Sequence, residues 1–141
     1  MSKTLMTSGG LLFLLLGLLH AGLTVVDMFT PRLLTPENDR LRSLMETTPL
    51  RLHPDLRLWD AWMGFNLSHS LGLVVFGAGV VAVAIRVDPS AGGASVYPLA
   101  AAAVGLVYVL MCLRFWFWVP AVATSAATAL LGLAFITAVQ R

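Results

Sequence analysis

Residues 10–29 read GLLFLLLGLLHAGLTVVDMF, and this stretch decides the fold class. Twenty mostly apolar residues without Lys, Arg or Glu have the length an α-helix needs to cross a hydrocarbon layer of roughly 30 Å. Only structures that satisfy every backbone group internally can do so. Three more stretches of this kind follow, over about 55–86, 98–118 and 120–139. The chain of 141 residues is 58% hydrophobic and 11% charged, with mean hydropathy +0.85, whereas a soluble domain carries about a quarter charged residues. The sequence therefore predicts an all-α, multi-pass membrane protein. It is expected to form a single integral domain over 1–141, built as an antiparallel four-transmembrane-helix bundle in a lipid bilayer.

On its N-terminal side, Lys3 followed by Leu11–Leu16 resembles the opening of a signal peptide. The apolar run continues past His20 to Val26 and no small-x-small cleavage site follows, so it is read as a retained helix. Thr30-Pro31 ends that helix, because proline disfavours helical geometry in the residue before it. The segment Pro31–Leu58 holds five of the nine basic residues and lies outside the hydrocarbon. Within it, Thr35-Pro36 fits a helix start, with Thr as cap and Pro in the first position. Leu41, Leu44 and Met45 then share a face. A short amphipathic helix over 36–47 is expected, on the membrane surface or packed over the bundle. Trp59, Trp62 and the run Arg114–Trp118 suit the interface. Asp88-Pro89-Ser90 and Gly92-Gly93 are turn chemistry. The link near 118–120 is so short that the last two helices must be antiparallel neighbours. Gly64, Ser68 and Gly72, and Thr124, Thr128 and Gly132, are spaced as helix-packing surfaces. The excess of Lys and Arg favours the 31–58 segment on the cytoplasmic side.

The net charge is +2 and the pI about 9.2, but no basic run exists, which excludes a nucleic-acid partner. The single cysteine, Cys112, excludes an intrachain disulfide and any cysteine-pair motif.

The chemistry-bearing residues cluster on the first two long helices. His20, Thr24 and Asp27 fall at i, i+4, i+7 and share a face, and so do Trp62, Asn66 and His69. Antiparallel helices then bring Asp27 level with Trp62, Thr24 with Asn66, and His20 with His69. Arg114 falls near the depth of Asp27. Polar groups inside a membrane cost on the order of 2.5–3.5 kcal/mol unless they find partners, so the expected pairs are Asp27 with Arg114, and His20 with His69 directly or through Asn66, Thr24 or water. Asp27 and Arg114 can also reach water at the interface by snorkelling. Thr24 and Ser70 can bond their own helix backbone, and His53 is expected to be an exposed residue at a helix start.

Four readings compete. In the first, His20, Thr24, Asp27, Trp62, Asn66, His69 and Arg114 line a one-sided pocket for a small or lipid-like ligand. Such a pocket is compatible with catalysis by His20, His69 or Asp27, since neutral imidazole suits proton transfer. In the second, the chain is an accessory or structural subunit whose polar residues fix helix register beside other membrane subunits. In the third, His20 and His69 ligate a metal or a haem b. The fourth, ion passage, fails on sequence, because the half near Val80 and Ala100 is almost wholly apolar.

The words Asp27-Met28-Phe29-Thr30-Pro31-Arg32 and Trp62-x-Gly64-Phe65-Asn66-x-Ser68-His69 carry a resemblance. Over His20–Gly72 the chain resembles an uncharacterised bacterial family of small four-helix integral membrane proteins. The resemblance implies a bacterial inner-membrane location and places the shared features in the first two helices and their connection. It implies no catalytic roles.

Overall fold

The computed structural model describes residues 1–140. Among the described residues the chain is all-helical apart from one two-stranded ribbon. In order it forms α1 (Ser2–Phe29), α2 (Asp39–Thr47), β1 (Pro49–Leu50), β2 (His53–Arg57), α3 (Leu58–Arg86), α4 (Val96–Phe115) and α5 (Trp118–Val139). The helices α1, α3, α4 and α5 are long and apolar enough to cross a membrane. The first two have 28 and 29 residues, roughly 42 Å of helix each, which exceeds the hydrocarbon thickness.

The helix boundaries differ from expectation for local reasons. α1 begins eight residues early, at Ser2, because its polar opening is absorbed by other helices: Ser2 Oγ donates to the Ala134 carbonyl at 2.7 Å, and Lys3 Nζ to the Ile85 carbonyl at 2.8 Å. α2 begins at Asp39 instead of Pro36. Its cap is Asn38, whose Oδ1 accepts from the Arg40 and Leu41 amides, while Thr35 is used elsewhere. The ribbon was not expected, since Pro49 and Pro54 argue against strands. In a two-stranded ribbon every strand is an edge, and proline is tolerated there. Pro49 pairs with Arg57 and Leu50 with His53 around an Arg51-Leu52 turn. His53 is exposed, as expected, but stands on β2. The 87–95 connection is the turn foreseen: Asp88 Oδ1 accepts from the Ser90 amide at 3.0 Å, and Gly93 takes φ +83°, which glycine adopts without strain.

The chain's contacts divide it into two compact units, Met1–Leu16 with the chain from Leu73 on, and Gly17–Gly72. The first unit is an apolar assembly. Met6 and Phe13 of α1, Leu73, Val80 and Ala84 of α3, Ala101 of α4, and Ala127, Leu131 and Ala134 of α5 share its core. Phe13, Phe76 and Tyr108 form an aromatic triad with centroids 4.9–6.1 Å apart. Glycines set the helix spacing: a Cβ on Gly77 would strike the Leu14 backbone, and one on Gly105 would lie 2.5 Å from Thr128 Oγ1.

These contacts correct the expectation about small residues on α3. Gly64, Ser68 and Gly72 are exposed, and a Cβ on Gly64 would meet nothing within 4 Å. Gly9, Gly10, Gly77 and Gly105 are instead among the packing glycines. Four-residue spacing identifies a stripe but not the direction it faces.

In the second unit, α2 buries none of its residues. Leu41 and Leu44 remain about half exposed, so this apolar face of the helix is largely uncovered.

Candidate functional site

The polar cluster lies in the Gly17–Gly72 unit, between the second half of α1 and the first half of α3. His20, Thr24 and Asp27 share a face of α1, and Thr24 and Asp27 are fully buried. Trp62, Asn66 and His69 occupy the facing side of α3, and Asn66 is fully buried. The pairing is antiparallel, in the register the spacing predicts. His20 Nε2 donates to Asn66 Oδ1 at 3.2 Å. The imidazoles of His20 and His69 meet edge to face at 89°, with centroids 5.6 Å apart.

Helical back-bonding satisfies much of what remains. Thr24 Oγ1 donates to the His20 carbonyl at 2.8 Å, Ser70 Oγ to the Asn66 carbonyl at 2.8 Å, and Asn66 Nδ2 to the Trp62 carbonyl at 2.8 Å. These bonds leave the Asn66 carbonyl oxygen aimed across the helix pair at His20. Phe65, part of the helix motif but not one of the expected site residues, completes a stack on α3. It is nearly parallel to Trp62 at 6.5 Å and to His69 at 6.2 Å. The i, i+3, i+7 spacing of Trp62, Phe65 and His69 was the available signal.

Asp27 differs most from expectation. Arg114 was its expected partner, but its carboxylate is taken up by the chain that immediately follows α1. Oδ1 accepts from the amides of Arg32 (3.0 Å) and Leu33 (2.9 Å), and Oδ2 from the amide of Leu34 (2.7 Å) and the hydroxyl of Thr35 (3.0 Å). The physical reason is proximity. Thr30-Pro31 breaks the helix, and the next amides, freed from helical bonding, turn back on a carboxylate only one turn away. Successive amides converging on an anion form a backbone nest. Arg114 is exposed, its guanidinium 5.0 Å from the Phe115 ring centroid, as suits an interfacial cation.

The nest is tied to α3 by one residue. The Leu34 amide donates to Asp27, and the Leu34 carbonyl accepts from Trp62 Nε1 at 2.8 Å. Asp27 and Trp62, expected at the same level, are therefore bridged by loop backbone. Trp59, on the adjoining turn, lies 4.7 Å beneath the Arg42 guanidinium, which also pairs with Glu46 at 3.0 Å.

A haem b held by two histidines needs both ring nitrogens aimed at one iron from opposite faces of a macrocycle. The edge-to-face imidazoles, with one Nε2 on Asn66, do not fit that geometry. Among the described residues no group of three His, Cys, Asp or Glu side chains could hold a metal ion. The arrangement sets two imidazoles edge to face, and it can fasten two helices and a loop.

No protein-family model matches the chain, and neither the curated proteins nor the solved structures yield a match.

Proposed function

We propose that the chain is a multi-pass integral membrane protein whose α1, α3, α4 and α5 cross the bilayer as a helical bundle. In this reading it acts as a structural or accessory membrane subunit, and its polar cluster is a lock on helix register. The observation that carries the lock is closure. His20 bonds Asn66, both oxygens of Asp27 accept from residues 32–35, and Trp62 bonds Leu34. A binding site holds polar groups ready for a ligand, whereas these are spent on one another. Buried polar groups without partners are costly in lipid, and a network that closes only in one register selects that register. The proposal extends to a bacterial inner membrane, the location that a resemblance of His20–Gly72 to small bacterial four-helix proteins would imply.

A second reading, proton-transfer chemistry on a small or lipid-like substrate, draws on one observation: the touching imidazoles of His20 and His69 are only half buried. A double-mutant cycle separates the two. His20→Ala, Asn66→Ala and the double variant are unfolded reversibly in mixed micelles. The lock predicts a coupling energy near 1 kcal/mol, within the range of interhelical hydrogen bonds in membranes. Additive effects would remove the lock.

A further inference from the structure

We propose that an apolar groove in the unit formed by Met1–Leu16 and the chain from Leu73 on binds an anionic phospholipid, with one acyl chain in the groove and the phosphate at its mouth. This rests on the membrane-spanning reading above. The groove encloses about 290 Å³ and is bordered by Met6 of α1, Val75, Gly79 and Val83 of α3, and Tyr97 and Val104 of α4. Apart from the Tyr97 hydroxyl, every lining side chain is apolar. Small-molecule sites carry a few placed polar groups to orient the ligand, and this groove has none along its length. An acyl chain asks only for shape and dispersion contact. At Gly79 a Cβ would meet nothing within 4 Å, so the groove is open along that part of α3.

One end of the groove is different. α1 begins, α3 ends and α4 begins there, because Lys3 reaches the Ile85 carbonyl and Tyr97 lies in the first turn of α4. Lys3 stands one turn before Met6, and Arg86 one turn beyond Val83, each on the face of a lining residue. The bond to Ile85 uses one of the three donors of the Lys3 ammonium and holds that charge at the end of α3, near Arg86. Asp88 is the one carboxylate of the adjoining turn, and it accepts from the Ser90 amide within that turn. Two cations and a phenol therefore belong to the helix ends at which the apolar slot terminates, a combination that complements an amphiphile with an anionic head. The same cations disfavour a second copy of this chain in the groove, since like charges would be brought together.

Native mass spectrometry of the full chain in mild detergent tests the site, with equimolar phosphatidylglycerol and phosphatidylcholine of identical acyl chains. The expected result is preferential retention of phosphatidylglycerol. Arg86→Gln should cut that preference roughly fivefold, the factor for one cation near an anionic head. Gly79→Leu fills the open part of the groove and should remove adducts of both lipids while helix content is kept. Excess inorganic phosphate should leave the adducts in place. Equal retention of the two lipids, a preference unmoved by both variants, or displacement by phosphate alone would overturn the site. A lipid-free dimer abolished by Gly79→Leu would overturn it too, assigning the groove to a second copy. Alkaline carbonate extraction of the same preparations tests the membrane reading separately: a chain that stays in the membrane yet retains lipids without preference loses only the lipid site.

Discussion

Two regions of the molecule join the same pair of helices by different physics. Between Met1–Leu16 and the later part of α3, α1 meets α3 through glycine: Gly10 and Leu14 backbone lie where a Cβ on Gly77 would stand. Between Gly17 and Gly72 the two helices meet through hydrogen bonds, His20 to Asn66, and Asp27 to Leu34 to Trp62. Steric approach depends on single positions and tolerates no added atom. A polar network spreads its contribution over several donors and acceptors, so each loss is partial. On the membrane-spanning proposal, apolar packing gains little from the hydrophobic effect between helices, which makes close backbone contact the main resource of the first region. Hydrogen bonds, which on the same proposal would lack water as an alternative partner, serve the second.

This contrast fixes an order of effects. Gly77→Leu should be the most damaging, because the new side chain meets α1 backbone that cannot yield as a side chain would. The expected outcome is loss of folded monomer in size-exclusion chromatography, a destabilisation above about 4 kcal/mol. Asp27→Ala comes next. It leaves three backbone amides and the Thr35 hydroxyl without their acceptor. Hydrogen bonds to a charged group contribute about 1.5–3 kcal/mol and are not additive, so a loss near 3 kcal/mol in micellar unfolding is expected. Proteolysis in the 30–58 connection should quicken alongside it. If Asp27→Ala proves more harmful than Gly77→Leu, the ranking of the two regions is reversed. Asn66→Leu removes the His20 bond but keeps an apolar volume, and a loss of about 1–2 kcal/mol is expected from the same unfolding experiment. Smallest is Gly64→Ala, which adds a methyl in open space. It should change stability by less than about 1 kcal/mol, in the stabilising direction, because alanine is the better helix former. A substantial loss there would mean that the exposed stripe on α3 is covered in the membrane.

The sequence was informative about the second region and less so about the first. Periodicity placed His20, Thr24 and Asp27 opposite Trp62, Asn66 and His69, because helical spacing and antiparallel order are both fixed by geometry. Hydropathy located the four long helices to within a few residues at most ends. The partner of Asp27 was hidden, since backbone amides are the same at every residue and leave no mark in composition; only the Thr30-Pro31 break hinted that donors would be released nearby. The ribbon at 49–57 was masked by two prolines that an edge position tolerates. The packing glycines could not be told from Gly64 and Gly72, because a stripe of small residues has the same spacing whether it faces a helix or lipid. The early start of α1 depended on acceptors at Ala134 and Ile85, more than eighty residues away in the chain.

The lock is tested most directly by hydrogen exchange at the amides of Arg32, Leu33 and Leu34, read by nuclear magnetic resonance in micelles at constant pH. These residues follow the end of α1, lie outside any helix, and belong to a segment where fast exchange would be ordinary. If they are bound to Asp27, all three should exchange slowly in the native chain, and together should become fast in Asp27→Ala while amides of α4 and α5 keep their protection. Fast exchange of these three amides in the native chain would contradict the lock, whatever the stability of the variants.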